Sequence, residues 1–169
     1  MYNLIDRKTI LVLGVGNTLL KDEGIGVHVI ERMQAMSLLD EEVELLDGGV
    51  LGLDLIEPME DREKVIIIDA VQGGEVPGTI YRLRRKDIEM GKDWHLSSLH
   101  DIDLPYVLNM AELMGKHIDP VIIGVEPEDM SPGLELSPEI EAKIPEVIDM
   151  VFKEIESHRS KGDKKECSI

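Results

Sequence analysis

Cysteine is nearly absent: Cys167, close to the end of the chain, is the single thiol. One thiol excludes a disulfide framework and a cysteine zinc site within one chain. The same scarcity fits a reducing cytoplasm. Cations are also few. There are 18 Lys and Arg against 35 Asp and Glu, a formal net charge of −17. Binding to nucleic acid depends on cations that neutralise phosphates, so no nucleic-acid partner is expected. An anionic membrane surface would repel the chain for the same reason. Long apolar runs are missing too. The first run, "TILVLGVG", is too short to span a bilayer, and no small-residue cleavage site follows it. No membrane insertion is expected, and the expected location is the cytoplasm. No internal repeat or linker interrupts the 169 residues.

What is present suits one folded domain. Hydrophobic residues make up 43 %, and a chain of this length buries roughly 70 % of its unfolded surface. "TILVLGVG" reads as a strand buried on both faces. The following helix carries Ile25, Val29, Met33 and Met36 on one stripe. "EVELLDGG" predicts a second strand and turn, and "GLDLIEPME" a short helix ended near Pro58. "KVIIIDA" is the clearest strand. After the turn "GGEVPG", the alternating "TIYRLRR" predicts a half-exposed edge strand. "DIEMGKDWHLSSLHDID" shows no clean period and reads as a loop. Asp103 and Pro105 then start a helix that carries Leu108, Ala111 and Leu113 and ends at Gly115. "PVIIGVEP" is a fifth strand. Ser137 and Pro138 open a last helix with Ile140, Ile144, Val147, Ile148, Val151 and Ile155 at helical spacing, kinked at Pro145.

Alternation of strands and helices predicts a three-layer α/β/α domain with a five-stranded, mostly parallel twisted sheet. The short third-to-fourth link makes the fourth strand antiparallel to the third, because a parallel crossover needs a dozen or more residues. Residues 1–157 form this single domain, and 158–169 form a flexible polar tail.

In such sheets ligands bind at the carboxyl ends of the strands. Gly14 and Gly16 match the start of a dinucleotide-binding turn, and Asp47 could stand for its ribose-binding acid. Yet Leu19 occupies the third glycine position, so close helix–strand packing is not provided. Asp22 and Glu23 would also repel a pyrophosphate at the helix start. The same strand ends gather Asn17, Asp22, Glu23, Asp47 and Asp69, and the loop offers His95 and His100. Crowded carboxylates with few cations are relieved by a bound metal ion. Two carboxylates and one histidine, with one position open, make a workable metal site. Each residue has a plainer use. Asp22 caps a helix, Glu23 complements the helix dipole, Asp69 accepts buried N–H bonds, and Asp47 serves a turn. His95 and His100 compete for the ligand role.

Four blocks, "ILVLGVGNTLLKDEGIGVHVIE", "LLDGGVLGLDLI", "VIIIDAVQGGEVPGTIYRL" and "GVEPEDMSPGLELSPEI", resemble the maturation endopeptidases of nickel-iron hydrogenases, in order, from about residue 10 to 155. The resemblance implies a phosphorylase/hydrolase-like fold. It implies an endopeptidase that removes a C-terminal extension from the nickel-loaded precursor of a hydrogenase large subunit, just beyond that subunit's last metal-binding cysteine motif. The glycine turn then presents a carboxylate to a metal rather than holding phosphate. Carried onto this chain, Glu23, Asp69 and His100 are the catalytic and metal-binding residues. Asn17, Asp47, Gly48 and Gly49 lie on the substrate side. Nickel comes with the precursor, and another divalent metal could take its place. Many relatives read more like His-x-x-Gly-Leu around the histidine where this chain reads "HDIDL". Two alternatives remain: a nucleotide-binding protein using Gly14 and Gly16, and a non-catalytic hydrogenase assembly chaperone.

Overall fold

A computed structural model describes residues 9–50, 52–89, 95–96 and 104–166. In chain order the elements are β1 (Ile10–Val15), α1 (Ile25–Met36), β2 (Val43–Gly49), α2 (Ile56–Met59), β3 (Lys64–Gln72), β4 (Ile80–Arg84), α3 (Arg85–Glu89), β5 (His95–Leu96), α4 (Leu104–Leu113), β6 (Val121–Val125), α5 (Pro138–Glu141) and α6 (Ile144–Glu166). The main sheet runs β2-β1-β3-β6-β4, and β5 pairs with β3 beyond it. The first four of these strands are parallel; β4 is antiparallel to β6.

The apolar strands are buried on both faces because helices cover both. Leu11, Leu13, Ile67 and Val71 face α2 and α4. Ile10, Val12, Ile66 and Ile68 face α1 and α6. Successive side chains on a strand point to opposite faces, so Asp69 shares the α2/α4 face with Ile67 and Val71. This is the predicted three-layer α/β fold. Among the described residues no helix is long and apolar enough to cross a membrane.

Several local details differ from the sequence expectation. The β3–β4 connection reverses the chain, but β6 lies between the two strands, so β4 does not pair with β3. β4 is one edge strand, opposite β2, with Tyr81 and Leu83 turned inward. Met36 is exposed, because α1 ends there in left-handed Ser37 and its stripe passes beyond the sheet. Leu113 is likewise exposed at the end of α4. Part of the predicted loop after β4 is α3 and β5; Asp103 lies outside the described residues.

The last helix does not kink at Pro145. It stops at Glu141 and restarts at Ile144. A proline ring within a continuous helix would clash with the carbonyl four residues back, whereas in a first turn it costs no hydrogen bond. α6 then continues to Glu166, through residues that composition assigns to a tail. Extending an existing helix adds one bond per residue without a new nucleus. His158 and Arg159 also pair with Glu63 and Asp40 of the domain.

Candidate active site

Three glycines set how closely α1 approaches the sheet. A Cβ on Gly26 would lie 2.2 Å from the Ile68 carbonyl oxygen and 2.3 Å from that of Val15. A Cβ on Gly14 would lie 2.2 Å from the Gly26 oxygen. Gly16 has φ of +143°, and a Cβ there would meet the Glu23 oxygen at 1.9 Å. Close packing is therefore present despite Leu19 at the third motif position; Gly26 supplies it from the helix side. The glycines are followed by the turn at Lys21–Gly24, whose Glu23 carbonyl lies against Gly16.

That turn is a single 3-10 turn packed against β3. It buries Asp22 and Glu23, 0 % and 2 % exposed. Asp69, 2 % exposed, follows Ile68 on β3, and its Oδ1 accepts the Ala70 N–H at 2.8 Å. The close approach of Gly26 to Ile68 thus sets the Glu23 turn beside the stretch of β3 that carries Asp69. Glu23 and Asp69 are thus both buried acids, one in the turn and one on the strand it packs against.

Asp22 has a different use from the helix cap suggested by sequence. The N-cap of α1 is Gly24, with no side-chain capping bond. The Asp22 carboxylate instead accepts four bonds from the β6–α5 loop. Oδ2 takes the N–H groups of Glu128 at 3.0 Å and Asp129 at 2.8 Å and the Ser137 hydroxyl at 2.8 Å. Oδ1 takes the Ser137 N–H at 2.7 Å. Beside it Lys21 pairs with Asp129. The Lys21 ammonium first, and Ser131 second, hold the Asp129 carboxyl well below the usual range.

The substrate-side candidates line the adjacent turns. Asn17 Oδ1 accepts the Leu19 N–H at 3.0 Å, and Asp47 Oδ1 accepts the Gly49 N–H at 2.8 Å. Gly16 N–H bonds to the Gly49 carbonyl at 2.8 Å, joining the two turns. Gly48 is confined, since a Cβ there would lie 2.7 Å from Leu13 Cδ1; Gly49, φ +54°, faces open space.

His100 lies outside the described residues, but the chain on either side of it is placed. β5 runs antiparallel to β3, with His95 opposite Gln72 and Leu96 opposite Val71. Val71 and Gln72 lie two and three positions beyond Asp69, so β5 sits at the carboxyl end of β3. The described chain resumes at Leu104, buried in the same core cluster as Ile67 and Val71. Among the described residues no group of three or more His, Cys, Asp or Glu side chains converges to hold a metal ion.

Sequence reasoning missed Glu126, just after β6 and 7 % exposed. Its carboxylate accepts the Gly73 N–H at 2.8 Å and the Tyr81 hydroxyl, fixing the β3–β4 connection. Burial first, and this bond to Glu126 second, push the Tyr81 phenol well above its ordinary value. A cleft of about 430 Å³ opens at the opposite end of the sheet, lined by Lys64, Arg82, Arg84, His117, Glu154 and His158 among others. Lys64 and Arg82 both pair with Glu154, and the two histidines pair with Glu112 and Glu63. This cleft lies at the opposite end of β3 from Asp69, and Glu154 matches its Lys64 and Arg82.

Fold and site together define an α/β protein whose centre is built from carboxylates at the carboxyl edge of a doubly covered sheet. A family model described as HycI, hydrogenase maturation protease, matches residues 27–154. The Hydrogenase 2 maturation protease of Escherichia coli K12 is 37 % identical over 145 residues, covering 85 % of this chain and 88 % of the relative. The hydrogenase expression/formation protein HupD of Rhodobacter capsulatus is 36 % identical over 148 residues, covering 86 % and 70 %. Among solved structures, the hydrogenase maturating endopeptidase HybD from E. coli matches with a TM-score of 0.75 and 33 % identity, covering 88 % of this chain and 92 % of that one. The chain belongs to the hydrogenase maturation protease family, and by that membership it is a hydrolase of the endopeptidase type.

Proposed function

We propose that this chain removes the C-terminal extension from the nickel-loaded precursor of a [NiFe]-hydrogenase large subunit, acting in the cytoplasm. The observation that carries this reading is the burial of Glu23 and Asp69 on two adjoining elements at the carboxyl edge of the sheet, in a member of this protease family. Exposed apolar side chains surround that edge: Leu19, Val50, Val76 and Leu134. They offer contact area for a protein substrate rather than a small molecule.

Peptide hydrolysis needs an attacking water, a polarised carbonyl and a proton for the leaving amine. Glu23, Asp69 and His100 are the donors that would hold the nickel ion presented by the precursor. A divalent ion bound there supplies Lewis acidity and lowers the pKa of water. If the ion serves only as a docking point, a carboxylate can instead accept the proton of the attacking water. No serine or cysteine nucleophile with a partnered base is evident in the sequence.

Dependence on nickel follows from differential affinity, since an empty precursor lacks the ion the donors are placed to bind. Purified chain mixed with nickel-loaded precursor should release the extension, read by mass spectrometry, and leave nickel-free precursor whole. Equal release from both precursors would remove the metal checkpoint. Stable association without release would make the chain a chaperone.

A further inference from the structure

The sequence places Asp22 beside Glu23 in the turn, but the carboxylate of Asp22 is turned away into protein. It is fully buried, and all four of its donors are neutral groups of the β6–α5 loop: the N–H groups of Glu128, Asp129 and Ser137, and the Ser137 hydroxyl. The backbones are joined as well. Asp22 N–H bonds to the Asp129 carbonyl at 3.1 Å, Lys21 N–H to Gly133 at 3.0 Å, and Gly133 N–H to Leu19 at 2.9 Å.

The turn needs such holding. Lys21 has φ of +44°, a left-handed conformation that an L side chain adopts only when its surroundings impose it. On the other side the turn is confined by Gly16, whose Cα lies against the Glu23 carbonyl. The Glu23 backbone is thus held between a glycine and a clamp formed by Asp22.

We propose that Asp22 is a positioning residue for the reaction: by binding the β6–α5 loop it holds the turn that presents Glu23, and the 128–137 loop is thereby part of the active-site support. The inference rests on the proposed role of Glu23. Supporting groups of this kind matter because a displacement of about 1 Å in a catalytic constellation can cost on the order of a hundredfold in rate.

Asp22→Asn tests it. An amide replaces one acceptor oxygen by an NH2 group, which then faces at least one of the four donors. In trimming assays on the nickel-loaded precursor, kcat should fall at least about tenfold while KM stays within about twofold, because precursor docking uses the wider loop surface. Ser137→Ala removes only the hydroxyl bond and should lower kcat about threefold, again with KM held. Should Asp22→Asn fail to fold, the Ser137→Ala variant decides alone. Unchanged kcat in a folded variant, or a loss confined to KM, overturns the proposal. Hydrogen exchange on the same full-length variants gives a readout independent of trimming. Faster exchange confined to residues 21–24 and 128–137 supports the clamp, and unchanged exchange there overturns it. If the native chain itself releases no extension, the proposed function fails, and the exchange measurement still judges the clamp.

Discussion

Gly26 and Ile68 are in backbone contact: a Cβ on the glycine would sit 2.2 Å from the Ile68 carbonyl oxygen. This contact seats the first turn of α1 on β3 and sets the level at which the Glu23 turn packs on that strand. Neither backbone can yield easily, since Gly26 lies in α1 and Ile68 pairs with both Gly14 and Ile123.

Gly26→Ala should therefore lift α1 off the sheet. Overpacking a close contact costs typically about 1–3 kcal/mol, and a backbone obstacle puts this case at the upper end. Urea unfolding should show a loss of about 3 kcal/mol. Trimming should fall further than that loss explains, because Glu23 moves with the helix.

Glu23→Gln and Asp69→Asn keep shape while removing charge. Each should abolish trimming with little change in far-ultraviolet circular dichroism. His100→Ala should do the same, whereas His95→Ala should keep most of the activity. An inactive His95 variant beside an active His100 variant would reverse the ligand assignment.

Glu154 contributes a pH-dependent term at the other end of the sheet. Burial alone would raise its pKa, but the hydrogen bonds from Arg82 and Lys64 outweigh it, so the folded pKa is lowered. A carboxyl depressed in the folded state stabilises at pH above its unfolded value of about 4.3 and loses that contribution as pH falls through the folded value. Glu154→Gln should lower stability near neutral pH by about 1–2 kcal/mol. It should also flatten the fall in stability below about pH 4.3. Parallel acid-unfolding curves for native and Glu154→Gln chains would rule this out.

The strands were legible because a strand buried on both faces must be a short, unbroken apolar run; "TILVLGVG" and "KVIIIDA" can be little else. The last helix was legible from the 3.6-residue spacing of its buried residues, all six of which are in the core. Its ends were less so. Pro145 marks a break that periodicity alone reads as a kink, and charged residues past 157 continue a helix that composition calls tail. Among candidate site residues, Glu23 and Asp69 stood out as acids at strand ends. Asp22 misled, because the same residue type suits a helix cap and a buried clamp, and its partners lie 106 to 115 positions away in the chain.

Sequence by itself determined the two-sided α/β layering, the antiparallel course of β4 and the concentration of acids at the carboxyl edge, since each depends on local polarity, spacing or loop length. Only the tertiary structure decided that β6 separates β3 from β4, that Gly26 supplies the close packing missing from the glycine motif, and that Asp22 binds a distant loop while Glu23 is buried in a turn packed on β3. These choices rest on which surfaces meet across the fold, and contacts between residues remote in the chain leave no periodic trace in the chain itself.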